Sequence, residues 1–191
     1  MEALLARPPA VLVSALLEAG TRRAWLAVEG SGGGARVRAS TPVLEALAAR
    51  LPEATAALDA HAAIFLEACP DTGALFGAFL HRVRRGQAQG GLRRRAYDTA
   101  LAFFDDGLRL SRGMSRKSAL AGLWWGGGKG IIAPAGDASR CDPDRRRALY
   151  ADYGRFVSSL RGSYVTAVDA GTTPADLRRD AGGEARGGVD V

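Results

Sequence analysis

Of the chain's 26 lysine and arginine residues, only Lys117 and Lys129 are lysine. The two cations exchange readily on a solvated surface. They do not exchange where a compact point charge or a removable proton is needed. Lys129 ends the glycine run in GLWWGGGKGII at 122–132, and Lys117 lies twelve positions upstream in RGMSRKSALAG. Downstream, SYVTAVDAGTT reads as a strand that delivers Asp169 to a glycine turn. Two cations and one carboxylate converging at strand ends suit a substrate with an anionic group and a centre that must exchange a proton. A lysine that is partly desolvated beside a second cation has its pKa pushed down and can act as a general base near neutrality. Lys117 is the expected second cation.

Other chemistries fit less well. GGGKG is not a phosphate loop: Leu123 stands where that pattern needs glycine, and Gly130 where it needs Ser or Thr. GSGGGAR at 30–36 lacks the spacing and the following acidic residue of a dinucleotide fingerprint, and reads as a flexible hairpin loop. His61 and His81 read as isolated and structural, and no metal site is expected.

The elements that must position these residues follow from periodicity and punctuation. PAVLVSALLEAG is a short helix closed by Gly20. RAWLAV and ARVRAS flank EGSGGG as a hairpin, and AAIFLEA and ALFGAFLHRV flank CPDTG as another. Between the hairpins, TPVLEALAARL and EATAALDA read as helical pieces. QAQGGLRRR reads as a loop. A helix is expected from Tyr97 towards Ala121, carrying Lys117 near its end, with Asp105 pairing Arg109 one turn on. A glycine turn then leads out to Lys129, followed by the short buried strand IIAP. Asp142 before Pro143 opens a further helix that Gly162 stops. Strands alternating with long helices predict an α/β fold: a three-layer domain with a mixed sheet flanked by helices.

Composition narrows the class. The 191 residues are 47% hydrophobic and 24% charged, which supports a real core. The net charge of +6 fits an arginine-biased solvated surface. Two cysteines, Cys69 and Cys141, make no disulfide scaffold and fit a reducing compartment. No apolar run is long enough to span a membrane. A cytoplasmic location is expected, with an organelle-targeting reading of the amino-terminal stretch kept beside it.

GGLRRR, ALAFFDDGLRLSRGMSRKSALAGLWWGGGKGII and YGRFVSSLRGSYVTAVDAGTTPADL together resemble the amino-terminal, dimerisation and substrate-binding domain of the glutamate/leucine/phenylalanine/valine dehydrogenases. The similarity runs from about Gly90 to Leu177. Members of that family convert an L-amino acid to a 2-oxo acid, passing hydride to NAD or NADP. The resemblance implies that Lys117 binds the substrate α-carboxylate, helped by backbone at Gly90 and Gly91. It makes Lys129 the catalytic lysine that activates water, and Asp169 the group that shuttles protons to and from the substrate nitrogen. Thr172 and Thr173 would lie towards the nicotinamide. Gln89 takes a position that is lysine in the glutamate enzymes and leucine in the branched-chain ones, so it matches neither specificity.

The expected organisation is an amino-terminal helix and hairpin over 1–40, a substrate-binding and dimerisation domain over 41–177, and a disordered tail over 178–191. The family's nucleotide-binding domain is expected to be absent, so that most of the NAD or NADP site is missing and the chain alone does not turn over. The expected partners are an L-amino acid or 2-oxo acid and further copies of the chain, with no nucleic acid and no membrane. Two rival readings remain: a non-catalytic assembly module of the same family, and an RNA binder built on RVRRGQAQGGLRRR.

Overall fold

The computed structural model describes residues 4–30, 35–84, 86–136 and 142–169. Its elements run α1 (Pro9–Glu18), β1 (Arg23–Glu29), β2 (Arg36–Ala39), α2 (Pro42–Ala54), a 3-10 turn (Ala56–Leu58), β3 (Ala63–Ala68), β4 (Leu75–Leu80), β5 (Ala88–Arg94), α3 (Ala100–Leu120), β6 (Gly126–Ala133), α4 (Pro143–Ser159) and β7 (Tyr164–Val168). The seven strands form one sheet in the order β2-β1-β3-β4-β6-β5-β7. Pairing is antiparallel from β2 across to β6, then parallel from β6 through β5 to β7. The expected mixed-sheet α/β architecture is therefore the one observed, and the helix and hairpin of residues 1–40 share its sheet and core.

Two apolar clusters set the layers. Leu66, Leu75, Phe79 and Ile131 face α1, α2 and α3 on one side. Phe76, Ala78, Leu80, Leu92 and Ile132 face α4 on the other. Every residue of β4 and β6 is buried, as expected of central strands covered on both faces. Helix starts follow local chemistry. The Thr99 side chain accepts from the Ala102 amide at 3.1 Å to open α3, and Asp142 accepts from the amides of Asp144 and Arg145 to open α4. Gly20 and Gly162 both take positive φ just past helix ends.

Three local expectations fail. QAQGGLRRR is not a loop: most of it is β5, a strand between β6 and β7. The glycines before Lys129 form no turn. They are the first half of β6, and none of residues 126–130 has positive φ. Arg109 pairs with Asp106 at 2.7 Å rather than with Asp105, whose carboxylate instead accepts from the Thr55 hydroxyl at 2.5 Å. In the first two cases close tertiary packing overrides weak local propensity. In the third, Asp106 faces the sheet, where more donors converge.

Candidate active site

Lys129 occupies the middle of β6, opposite Phe79 of β4. Successive side chains alternate across a strand, so Lys129 shares the α3 side of the sheet with Ile131. It is buried. Its ammonium is ion-paired with the carboxylate of Asp169, the first residue past β7. Asp169 is about a third exposed, so the pair opens to solvent from the Asp169 side.

Glycine makes this meeting possible. A Cβ on Gly91 would lie 2.6 Å from the Asp169 Cβ, so only a bare backbone lets that carboxylate fold back towards Lys129. A Cβ on Gly127 would sit 2.2 Å from the backbone nitrogen of Ser115, so α3 can approach β6 only over glycine. The Ser115 hydroxyl oxygen accepts from the Gly127 amide at 2.9 Å and ties helix to strand.

A second set of charges surrounds Lys129. Arg93 of β5 donates to both oxygens of Asp106 on α3, at 3.1 and 2.9 Å. Arg109 and the Tyr97 hydroxyl donate to the same carboxylate at 2.7 and 2.8 Å. Burial works against the Asp106 charge, but these donors outweigh it and hold its pKa below the usual carboxylate value. Burial, together with the Asp106 carboxylate, pushes the Tyr97 phenol up. For Lys129, burial is the largest influence and the Arg93 guanidinium adds to it. Together they bring the ammonium down to about 8, against opposition from Asp106. Contact with Asp169 also favours the charged form. The second cation acting on Lys129 is thus Arg93 and not Lys117, because Arg93 stands on the adjacent strand.

The other expected site residues fall as follows. Gly90 and Gly91 lie in β5, and the Gly90 carbonyl accepts from the Tyr164 hydroxyl at 2.8 Å. Gln89 is half-buried in the same strand, between Gly127 and Val165. Lys117 is exposed in the last turn of α3, one turn beyond Met114, whose Cγ would lie 3.3 Å from a Cβ on Gly90. Thr172 and Thr173 lie outside the described residues. The sequence reading missed Arg93, Asp106 and Tyr97. Their only signal was the acidic pair before Arg109, of which Asp105 was read as its partner. His61 and His81 are not isolated: their rings meet edge to face with centroids 4.7 Å apart. Among the described residues no group of three or more acidic, His or Cys side chains could hold a metal.

A buried lysine against a carboxylate, reached over bare glycine in the parallel part of a mixed sheet, is an arrangement that can move a proton. The class is that of amino-acid dehydrogenase amino-terminal domains. The model of the Glu/Leu/Phe/Val dehydrogenase dimerisation domain matches residues 72–179, and the chain belongs to that family. Leucine dehydrogenase of Geobacillus stearothermophilus is 43% identical over 98 residues, which is 51% of this chain and 25% of that one. Valine dehydrogenase of Streptomyces albus is 46% identical over 98 residues, 51% of this chain and 26% of that one. The crystal structure of L-tryptophan dehydrogenase from Nostoc punctiforme superposes with a TM-score of 0.56 at 34% identity, covering 65% of this chain and 35% of that one. The chain therefore spans about a quarter of the length of these curated relatives.

Proposed function

We propose that this chain is the substrate-binding part of an amino-acid dehydrogenase, acting in oxidative deamination of an L-amino acid to a 2-oxo acid. The observation that carries this reading is the buried Lys129 ammonium, lowered to about 8 and held against Asp169. In this reading Lys117 meets the α-carboxylate, with the Gly90–Gly91 backbone beside it, and Gln89 faces the amino-acid side chain. The neutral Lys129 amine takes a proton from the water that attacks the imine carbon. Asp169 exchanges a proton with the departing nitrogen. The base must be lysine because an arginine guanidinium does not give up its proton.

NAD or NADP would accept the hydride. The glycine run of β6 offers it no cradle: it lies in a strand packed against α3, with no positive-φ turn to wrap a diphosphate. Most of that site is assigned to residues outside this domain, with Thr172 and Thr173 at its border. Self-association and a cytoplasmic setting complete the reading.

Calorimetry with the 191-residue chain tests it. Aliphatic and aromatic L-amino acids and their 2-oxo acids are titrated in turn. At least one should bind, and Lys117→Met should weaken it about tenfold or more, as loss of a charge-assisted carboxylate contact implies. Binding that ignores Lys117→Met would remove the carboxylate role. Absence of binding by any of these acids at millimolar concentration would favour the non-catalytic assembly reading.

A further inference from the structure

The glycines on either side of Lys129 answer to a tyrosine on the opposite face. Lys129 points towards α3, so Gly128 and Gly130 turn towards α4. A Cβ on Gly128 would lie 2.7 Å from the Tyr164 ring, and one on Gly130 would lie 2.8 Å from the Tyr164 hydroxyl. Tyr164 opens β7, belongs to the α4-side cluster and is 2% exposed. Because β5 stands between β7 and β6, the ring crosses behind β5 and ends against the strand that carries Lys129.

On the way its hydroxyl grips the backbone of β5. It lies 2.8 Å from the Gly90 carbonyl, 3.3 Å from the Gly91 carbonyl and 3.3 Å from the Thr166 hydroxyl. A phenol has one proton to give, and the shortest contact takes it. Burial pushes the phenol pKa up, so the proton stays. The strand is irregular at this point. β5 pairs with β7 through Gly90 and Gly91, but its register with β6 stops at Gln89 and resumes at Leu92. Ala88 and Leu92 face α4, whereas a Cβ on Gly90 would meet the Gly128 carbonyl and lie 3.3 Å from Met114 of α3. In a trans peptide unit the carbonyl and the following amide point in opposite directions. A hydroxyl that holds the Gly90 carbonyl from the α4 side therefore sets the Gly91 amide towards the α3 side, where Lys129 meets Asp169.

We propose that Tyr164 is a positioning residue of this site: its phenol holds the Gly90 carbonyl and so turns the Gly91 amide towards the Lys129–Asp169 opening, where that amide donates to the substrate carboxylate. The inference rests on the amino-acid reading given above. It adds a residue that touches no substrate and acts from the far face of the sheet through the β5 backbone.

The test follows amide signals of the full chain by NMR, first free and then with the 2-oxo acids of leucine, valine and tryptophan. Tyr164→Phe keeps the ring over Gly128 and Gly130 and removes only the hydroxyl. In the free chain it should shift the Gly91 amide signal and speed its exchange with solvent at least about tenfold, as local loosening of one hydrogen-bonded unit implies. The control Tyr150→Phe removes another buried phenol of the α4 layer, one that meets Arg146 at 3.5 Å. It should leave Gly91 unchanged. In the unaltered chain, an acid that binds should move the Gly91 amide signal downfield, the mark of a new charge-assisted hydrogen bond. In Tyr164→Phe that movement should shrink and the acid should bind about three- to tenfold more weakly, the worth of one hydrogen bond. The proposal is overturned if Gly91 is unchanged in Tyr164→Phe, or if affinity is unchanged, or if both variants lose it equally. Binding to the unaltered chain that leaves Gly91 unmoved would refute the role of its amide while keeping the amino-acid reading. Absence of binding by all three acids would remove that reading, and the role of Tyr164 with it.

Discussion

At the scale of single residues, Lys129 decides the reading, and the scarcity of lysine makes it directly observable. Lysine labelled at Cε gives two signals, assigned with Lys117→Arg. The Lys129 signal should titrate with a midpoint near 8. A midpoint above 10 would mean that Asp169 outweighs burial and Arg93, and that Lys129 is no base near neutrality. The same shift has a consequence for stability. Between about 8 and 10.5 the unfolded chain holds a proton on this lysine that the folded chain has released, so stability rises with pH across that window and its cost is fully felt below it. The effect is at most about 3 kcal/mol. Lys129→Met should flatten the slope in urea denaturation followed across that window.

At the scale of elements, the buried histidine pair predicts acid sensitivity. Burial, with His81 adding to it, lowers the His61 imidazole to about 4. The unfolded chain therefore takes up a proton first as pH falls through 6.5, and stability declines from there to about 4. His61→Gln should lose stability at pH 7, because His61 Nε2 meets both the Leu108 carbonyl and the Ser111 hydroxyl, but should show a shallower decline with acid. An unchanged slope would locate the acid sensitivity elsewhere.

Glycine supplies the sharper contrast between elements. In Gly127→Ala the new methyl meets backbone atoms of Ser111 and Ser115 at under 2.5 Å, so α3 must lift off β6. The expected cost is about 3 kcal/mol or more. Gly113→Ala, in the same helix with nothing within 4 Å, should stabilise by about 0.5–1 kcal/mol. Equal effects in thermal unfolding would refute the packing argument. These glycines also show why the sequence reading failed where it did. Both hairpins, the long helix with its Thr99 start and the α4 helix opened by Asp142 were legible, because apolar period and capping residues are local signals. Strands β5 and the first half of β6 carry glycines chosen by what lies across from them: Asp169, α3 and Tyr164. Nothing within a few residues announces that. Lys129 and Asp169 were legible by residue type and family motif, but Arg93 was read as part of a loop and Asp106 was passed over, because only the fold turns them inward.

At the scale of the whole molecule, the family's dimerisation role raises the question of which surface joins two copies. The sheet ends in β2 on one side and β7 on the other. β7 borders the Lys129–Asp169 opening, so pairing there would cover it. β2 is the freer edge. In an antiparallel ladder alternate amides point inward and outward. The Ser40 amide donates to the Trp25 carbonyl at 3.0 Å, so the amides of Arg38 and Arg36 also turn towards β1, while those of Val37 and Ala39 face away. Arg36 and Arg38 are exposed along this edge, and like charges from two copies would oppose each other across it. Association through β2 should therefore tighten as salt screens that repulsion. Sedimentation at tens of micromolar should show a dimer that strengthens between low and moderate salt. Val37→Pro removes an outward amide that β1 does not use, so it should give a folded monomer with an unchanged circular dichroism spectrum. A dimer that survives Val37→Pro would place the interface away from β2. A monomer for the unaltered chain at every salt concentration would remove self-association from the proposed function.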